Sequence, residues 1–304
     1  MERIITYHID EAFQNNTILQ FLKKKKYTDK AIIALKKTPE GILLNDVWAY
    51  VNQKISSGDI LTIKLLETEN SEKIIPEKLN IDIVYEDDDI LVVNKPLNMP
   101  VHPSQNHYSG TLANGIAYYF EKQGKPFVFR CVNRLDKDTT GLTILCKHQL
   151  ASGILSNMVS ERLIKRTYLA ICTDNGSLSE SGTIEAPIGR KEASTIERVI
   201  DYEKGECATT HFKRLLHIPD KQISLIQLQL ETGRTHQIRV HMSSIDHPLI
   251  GDDLYGGDCT LIDRQALHSY SLQFTHPVTR EEMYFEQELP EDMKQCLNLT
   301  NFNI

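Results

Sequence analysis

The chain has 304 residues, which is long enough to bury one large hydrophobic core or two ordinary ones. A quarter of the residues are charged and the formal net charge is -7, which excludes a surface coated in positive charge but leaves room for a local basic groove. Scattered cysteines, an N-terminus without the apolar core of a signal peptide, and the lack of a long apolar run argue against a secreted or membrane protein, so we expect a cytoplasmic one.

Two short helices rich in lysine are predicted near the N-terminus. Apolar residues recur at helical spacing over 18–22 and 31–35, and Thr28 is placed to cap the second helix. Residues 20–37 contain seven lysines against one acid, Asp29, a local balance of +6. Such a surface suits phosphate groups. Its densest part is the run Lys23, Lys24, Lys25 and Lys26.

A boundary between two domains is predicted shortly after the second helix. A strand into a turn over 41–46 and a turn into a strand over 56–63 complete a compact unit. The polar stretch 67–73 has little to bury and reads as a linker. We therefore predict a small N-terminal α+β domain over 1–72 and a larger domain over 73–304.

The second region mixes strands and helices. An antiparallel hairpin is predicted over 81–93 because two apolar runs flank an acidic turn. Two helices and two long strands are expected after it, over 112–120, 150–158, 164–172 and 223–230. This order predicts an α+β fold with a largely antiparallel sheet around a central cleft.

The first candidate for chemistry is Asp136, on a connection between strands predicted at 127–132 and 142–146. An isolated aspartate after a strand usually only accepts backbone hydrogen bonds in a turn. Here Arg134 lies two residues away, so both side chains leave an extended segment on the same side, and Lys137 adds charge. A carboxylate beside a guanidinium stays ionised, which suits a nucleophile or a general base.

The second candidate is a strand that begins with Lys165 and Arg166 and continues to Tyr168. A tyrosine on a strand usually packs in the core. A phenol that reaches a cleft can instead stack on a base or move a proton. Two preceding cations are unusual for a purely packed strand, and Arg166 and Tyr168 share one face.

The third candidate is the segment 230–242, which follows a strand. Gly233 supplies a sharp turn and Thr235 is placed as the N-cap of a helix. Backbone donors at a helix start, together with Arg234, form a natural site for a carboxylate or phosphate. Arg239 and His241 fit an exposed helix surface equally well.

A metal site is not expected. Histidines and aspartates between 236 and 253 lack the i, i+4 pairing of a helical zinc site. They are His236, His241, His247, Asp252 and Asp253. The sequence also has no phosphate-binding loop and no dinucleotide fingerprint, so nucleotide hydrolysis and dinucleotide redox chemistry have no signature.

Taken together and in this order, the three segments resemble the RluA-type RNA pseudouridine synthases over about residues 80–290. The segments from 92 to 103 and from 247 to 252 resemble that family as well. Residues 1–72 resemble the alpha-L RNA-binding fold, with Gly41, Asn45 and Gly58 at matching places.

The resemblance implies a reaction without metal or cofactor, in which uridine in RNA is detached from its sugar and reattached through carbon 5. Asp136 then matches the catalytic aspartate, and Tyr168 the tyrosine that packs against the base. Arg234 matches the arginine that pairs with the aspartate. Arg134 matches a residue that helps to extrude the target or fills its place.

Further RNA contacts are expected from polar side chains around these positions. Asn133 stands where the family often has a histidine, and its amide can still hydrogen-bond a sugar or phosphate. The remaining candidates are Lys165, Arg166, His236 and Arg239. We expect a monomer that acts on structured RNA, ribosomal rather than transfer RNA.

Two other functions compete with this one. A non-catalytic RNA-binding or ribosome-assembly factor would use the lysines and keep a vestigial pocket, a reading that Asn133 favours. A hydrolase would use Asp136 and Asp138 as its two carboxylates, and would need about 5 Å or more between them with an open cleft.

Overall fold

A computed structural model describes residues 1–104 and 108–298. Within these ranges the strands are β1 (Glu2–His8), β2 (Ile42–Leu44), β3 (Val47–Trp48), β4 (Ile60–Leu66), β5 (Asp82–Glu86), β6 (Ile90–Lys95), β7 (Thr140–Cys146), β8 (Lys165–Thr173), β9 (Ser181–Glu185), β10 (Ile188–Arg190), β11 (Arg198–Ile200), β12 (Thr209–Ile218), β13 (Ile223–Leu230), β14 (Leu267–Thr275) and β15 (Glu282–Glu286). The helices are α1 (Ile18–Lys24), α2 (Asp29–Lys37), α3 (Leu112–Lys122), α4 (Gln149–Ser160), α5 (Gln237–Ser244) and α6 (Glu291–Leu297). Among the described helices, none combines the length and the apolar character that crossing a membrane requires.

The N-terminal part is a small antiparallel sheet in the order β1-β4-β2-β3, accompanied by α1 and α2. Thr17 caps α1 in a capping box with Gln20. Thr28 caps α2 by accepting from the backbone N–H of Ala31. The predicted helices and the predicted cap at Thr28 are therefore confirmed.

The larger sheet runs in the order β5-β6-β7-β14-β8-β13-β12-β9, with β15 added to β14. Its pairings are antiparallel except that of β7 with β14. The predicted α+β class and the largely antiparallel sheet are confirmed. The predicted hairpin appears as β5 and β6.

The strand predicted at 127–132 does not form. This segment joins the large sheet by an isolated bridge between Cys131 and Leu145 and by backbone bonds on either side of it. The Val132 N–H donates to Ile144 (2.9 Å) and the Cys146 N–H donates to the carbonyl of Arg130 (2.8 Å). The pairing is too short for a strand, and it leaves the chain irregular immediately before Asp136.

The two sheets share a hydrophobic core. One buried cluster joins Phe21 and Leu22 of the small sheet's helices to Ile90, Ile144 and Leu155 of the larger part. Its continuity means that the two predicted domains pack against each other through apolar side chains. The boundary between residues 72 and 73 stays a prediction.

The segment predicted as a linker is held to the larger part. Glu67 accepts from the guanidinium of Arg130 (2.7 Å) and from the backbone N–H of Gln149 (2.8 Å). Asn70 accepts from the N–H of Phe127 (2.9 Å). The polar residues were correctly expected to bury little, but they satisfy backbone groups of the neighbouring segment and so do not act as a free tether.

A buried ion pair also joins the two parts. The guanidinium of Arg3 on β1 donates twice to Asp89, at 2.8 and 3.0 Å, and His148 lies 2.8 Å from the same carboxylate. Burial alone would raise the pKa of Asp89, but the hydrogen bonds from His148 and Arg3 outweigh it and lower that pKa. The small sheet is thus fixed at the start of β6.

Candidate active site

A cleft of about 1150 Å³ opens where the loop before β7, the end of β13 and the start of α5 meet. The three predicted segments converge on it. Among the described residues, two carboxylates line it, Asp136 and Glu231. Against them stand seven cationic side chains, Arg134, Lys137, Arg162, Arg166, Arg198, Arg234 and Arg239. The local balance of +5 in a chain of net charge -7 marks this cleft as a place for an anion.

Asp136 lies at the floor of the cleft, with its side chain 28% exposed. Its carboxylate oxygen Oδ2 is 3.4 Å from Nη1 of Arg239 and 3.9 Å from Nε2 of His236. Its backbone carbonyl accepts from the N–H of Thr139 (3.1 Å), which closes the turn into β7. The carboxylate is therefore held by a cation on one side and open to a ligand on the other.

The arginine beside Asp136 is Arg239, and the predicted pairing with Arg234 is wrong. Arg234 pairs with Glu206 at the rim and donates from Nε to the carbonyl of Cys207 (3.2 Å). Its side chain is 40% exposed. Arg239 instead lies on the first turn of α5 and points inward, so the expectation that it belongs to the helix surface is also wrong.

The different roles of the two arginines follow from where the helix begins. Thr235 is not the N-cap: His236 precedes α5 in the left-handed conformation (φ 57°). The turn is held by Gln237, whose Oε1 accepts from the N–H of Arg234 (3.0 Å) and from the hydroxyl of Thr232 (2.8 Å). The chain changes direction at this turn. Arg234, before the turn, therefore stays at the rim of the cleft, and Arg239, on the helix after it, points towards Asp136.

Arg239 is fixed from two sides. It donates to both carboxylate oxygens of Asp252, each at 2.7 Å, and its guanidinium lies 5.0 Å from the ring centroid of Tyr255. Burial opposes its charge, but the hydrogen bonds and charge of Asp252 more than compensate and raise the pKa of Arg239. Sequence reasoning weighed Asp252 only as a metal ligand and missed Tyr255. The resemblance of segment 247–252 was the one signal for another role of Asp252.

His236 shares the same network. Its Nδ1 lies 2.8 Å from the hydroxyl of Tyr255, which also accepts from the backbone N–H of Arg198 (2.9 Å). Burial lowers the pKa of His236, although the charge of Asp136 opposes this effect. His241, in contrast, is buried away from the cleft between Thr210 and the carbonyl of Ala186, so it is not helix surface.

Tyr168 forms the cleft wall next to Asp136. It lies on β8 between Leu228 of β13 and Ser269 of β14, and is 5% exposed. Burial raises the pKa of its phenol, which keeps the group neutral. Lys165 is exposed and is not among the residues that line the cleft, because alternate residues of a strand face opposite sides. Its predicted RNA contact in the cleft is not supported.

Asn133 holds the loop that carries Asp136. Its side chain donates from Nδ2 to the carbonyl of Leu142 (3.1 Å) and accepts at Oδ1 from the N–H of Ile144 (2.9 Å). The residue is 2% exposed. Because β7 already occupies both ends of the amide, the predicted contact from Asn133 to a sugar or phosphate is not supported.

Lys95 holds the same loop from below. Its ammonium is fully buried and donates to the carbonyls of Pro96 (3.0 Å), Met99 (2.8 Å) and Lys137 (2.9 Å). An ammonium has three donors, so all of them are used. Burial lowers the pKa of Lys95 to about 7. Sequence reasoning treated this lysine only as part of a resembling segment and missed its contacts.

The lysine run 23–26 lies away from the cleft, since none of these four lysines is among the described residues that line it. Lys23 pairs with Asp29 and Lys26 with Glu161 (3.3 Å). The ammonium of Lys25 lies over the rings of Tyr7, Phe13 and Phe21, and Lys24 lies over Phe13. Part of the expected positive charge is therefore engaged within the fold.

The histidines and aspartates weighed as a metal cluster have other partners, among them Arg239 for Asp252 and Thr210 for His241. A group with suitable spacing elsewhere in the described part of the chain is Asp87, Asp89 and His276. These residues do not line the cleft, and Asp89 is already bound by Arg3 and His148.

A cationic cleft with a carboxylate and a guanidinium at its floor suits the binding of a polyanion, and comparison with known proteins gives the class of protein. The family model described as RNA pseudouridylate synthase matches residues 89–244. The chain therefore belongs to the RNA pseudouridylate synthase family, whose members are isomerases that convert uridine in RNA to pseudouridine. The RluA-type resemblance and the enzyme class are confirmed.

Particular relatives cover most of the chain. The Bacillus subtilis (strain 168) protein named "Uncharacterized RNA pseudouridine synthase YhcT" is 40% identical over 94% of each chain. The "Ribosomal large subunit pseudouridine synthase D" of Vibrio vulnificus (strain CMCP6) is 40% identical over 79% of this chain and 76% of its own. The solved structure of "Human RNA Pseudouridylate Synthase Domain Containing 1" aligns with a TM-score of 0.58 at 27% identity, over 71% of this chain and 87% of the other.

Proposed function

We propose that this protein isomerises uridine to pseudouridine at a position in large-subunit ribosomal RNA, with Asp136 as the catalytic residue. The observation that carries the proposal is the position of the Asp136 carboxylate, partly exposed at the floor of a cationic cleft and bound by Arg239. The relatives named for the large ribosomal subunit support the choice of RNA.

The target uridine must leave its helix to react. Carbon 5 and the glycosidic bond are inaccessible in a stacked duplex, so the nucleotide is flipped out at a cost of a few kcal/mol. The cleft is large enough for a nucleoside together with adjoining backbone. Contacts between its cations and the RNA phosphates offset the cost of flipping.

Within the cleft, Asp136 acts on the sugar of the flipped nucleotide. The neighbouring guanidinium of Arg239 favours the ionised carboxylate by direct attraction. The carboxylate then either attacks the anomeric carbon or removes a sugar proton to give an unsaturated intermediate, and both routes release the uracil for reattachment through carbon 5.

Other side chains position the nucleotide. The ring of Tyr168 packs against the released base, and its neutral phenol is available for proton transfer at carbon 5. Arg134 is exposed on the cleft lining, where it can occupy the space that the flipped base leaves. Arg234 and His236 contact the RNA from the opposite wall. The lysines of α1 contribute phosphate contacts outside the cleft.

The rival functions have little support. Asn133, the residue that favoured a non-catalytic factor, has a structural role that does not depend on a vestigial pocket. Asp138 is not among the described residues of the cleft lining, so the hydrolase lacks the predicted pair of Asp136 and Asp138. The other carboxylate of the lining, Glu231, is engaged by Arg162 and His211. A monomeric state and a cytoplasmic location stay predictions.

Tritium release tests the proposed function. Large-subunit RNA labelled at carbon 5 of uridine, taken from a strain that lacks the gene, is incubated with the wild type and with Asp136→Asn. We expect release by the wild type, none by the variant, and similar RNA binding by both because phosphate contacts supply most of the affinity. No release by the wild type would refute the proposal.

A further inference from the structure

Arg166 is buried in the cleft wall without a partner. It lies on β8 two residues before Tyr168, on the same face of the strand, and is 7% exposed. Among the described residues, none accepts a hydrogen bond from its guanidinium or forms an ion pair with it, and its Nε is buried and unsatisfied. This buried cation is therefore uncompensated in the protein alone.

The other buried arginines are compensated. Arg239 donates to both oxygens of Asp252, and Arg264 donates to both oxygens of Asp292 at 2.7 and 2.9 Å. Burying a charge is costly unless hydrogen-bonded partners surround it. The nearby acid of the cleft, Glu231, is already engaged by Arg162 and His211. A bound ligand is therefore the remaining source of a hydrogen-bond acceptor for Arg166.

The turn opposite Arg166 leaves room for such a ligand. A Cβ atom at Gly233 would lie 3.0 Å from Nη1 of Arg166. The φ of Gly233 is not in the left-handed region, so the position does not need glycine for its backbone conformation. The absence of a side chain instead keeps the guanidinium uncovered on its cleft side.

We infer that Arg166 binds the phosphodiester group next to the flipped uridine, on the Tyr168 side of the cleft. A guanidinium presents paired donors that match two phosphate oxygens. Along one face of a strand, Arg166 and Tyr168 are about 7 Å apart, so a nucleotide whose base lies on Tyr168 brings a flanking phosphate within reach. This inference rests on the proposed function and assigns one phosphate of the substrate to one residue.

The test uses RNA hairpins that contain the target uridine, mapped by comparing pseudouridine in RNA from wild-type and deletion strains. Each hairpin carries one uncharged methylphosphonate linkage, either 5′ or 3′ of the target. Dissociation constants and tritium release are measured for the wild type, Arg166→Ala and Arg166→Lys. Lys213→Ala, an exposed lysine of β12 outside the cleft lining, is the charge-matched control.

We expect one of the two neutral linkages to weaken binding by the wild type about tenfold, the size of a lost charge-assisted hydrogen bond. Arg166→Ala binds unmodified RNA more weakly by a similar factor, and its affinity no longer changes with that linkage. The dependence of its binding constant on salt concentration, on a double-logarithmic plot, has a slope smaller by about one. Arg166→Lys recovers only part of the loss because it lacks the paired donors. Lys213→Ala keeps the response of the wild type.

If Arg166→Ala does not fold, as judged by its circular dichroism, Gly233→Ala replaces it, since the added methyl group displaces the guanidinium and should reduce the effect of the same linkage. The inference is overturned if an active wild type responds equally to both linkages, or if the Arg166 and Gly233 variants respond as the wild type does. A wild type that releases no tritium refutes the proposed function instead.

Discussion

The floor of the cleft and the lysine-rich helices α1 and α2 are both charged, but they hold their charges differently. At the floor, Arg239 is bound by Asp252 and Tyr255 and reaches Asp136 from a buried position. At the helices, Lys23 on α1 and Lys26 in the loop between α1 and α2 form single ion pairs at the surface. The difference indicates that the cleft floor serves the reaction and the lysines serve RNA binding. A reaction needs charges that are already fixed in place, whereas affinity for RNA phosphates can come from mobile charges.

The strongest test of this division compares Arg239→Gln with Arg234→Gln. Arg239→Gln removes one member of a buried network, so we expect a loss of about 3–5 kcal/mol in the free energy of unfolding and at least a hundredfold lower single-turnover rate. Arg234→Gln removes an exposed pair, so stability should change by about 1 kcal/mol or less while KM rises. Urea unfolding gives the stabilities, single-turnover tritium release gives the rate, and steady-state tritium release gives KM. Equal effects of the two variants would remove the distinction between them.

A second test uses pH, because His268 on β14 is buried and neutral in the folded protein. Burial lowers the pKa of His268 from 6.5 to about 4, with Thr140 and the carbonyl of Gln287 as its partners. Above pH 6.5 the group contributes no pH dependence. As pH falls from 6.5 to 4 the unfolded chain takes up the proton first, so the free energy of unfolding decreases by about 3 kcal/mol from this residue.

Urea unfolding of the wild type and of His268→Asn between pH 4 and 8 isolates this contribution. The variant should be less stable at neutral pH but should show a shallower decline towards acid. Parallel curves for the two proteins would exclude His268 as the source of the acid sensitivity.

A third test concerns the support beneath Asp136. Lys95→Met leaves the carbonyls of Pro96, Met99 and Lys137 without their donor. The unsatisfied carbonyls destabilise the fold, but the apolar side chain removes the cost of burying a charge and offsets part of this effect. We therefore expect a net loss of about 2 kcal/mol in the free energy of unfolding. We also expect a roughly tenfold lower rate with little change in RNA affinity, since misplacement of a catalytic group affects the chemical step. Lys73→Met, at an exposed position, is the stability control.

The smallest effect on stability is expected from the helices. Lys24→Gln combined with Lys26→Gln should change the free energy of unfolding by less than about 1 kcal/mol, because both side chains are exposed. If these lysines bind phosphates, KM rises a few fold at constant kcat and the salt slope of RNA binding falls by up to about two. An unchanged salt slope would place the RNA elsewhere on the protein.

Much of the fold was predictable because local signals agreed with the final structure. Helical spacing identified α1 and α2, a threonine in the capping position identified the start of α2, and the acidic turn between two apolar runs identified the hairpin of β5 and β6. The strand expected at 127–132 does not form because β7 is paired along one edge with β6 and at the start of its other edge with β14, so this segment meets only the end of β7. Which edge of β7 is free depends on the other strands of the sheet and cannot be read from the sequence of residues 127–132.

The amino-acid order alone determined which residues approach the cleft: an aspartate on a connection, a tyrosine on a strand and an arginine-rich turn after another strand. Only the tertiary structure decided which arginine meets Asp136, because His236 in the left-handed conformation shifts the helix start and turns Arg239 inward and Arg234 outward. It likewise decided that Asn133 binds backbone groups of β7 and that Lys95 binds a carbonyl of the loop. Side-chain type and spacing specify what a residue can bind, whereas its actual partner depends on groups that distant parts of the chain bring within reach.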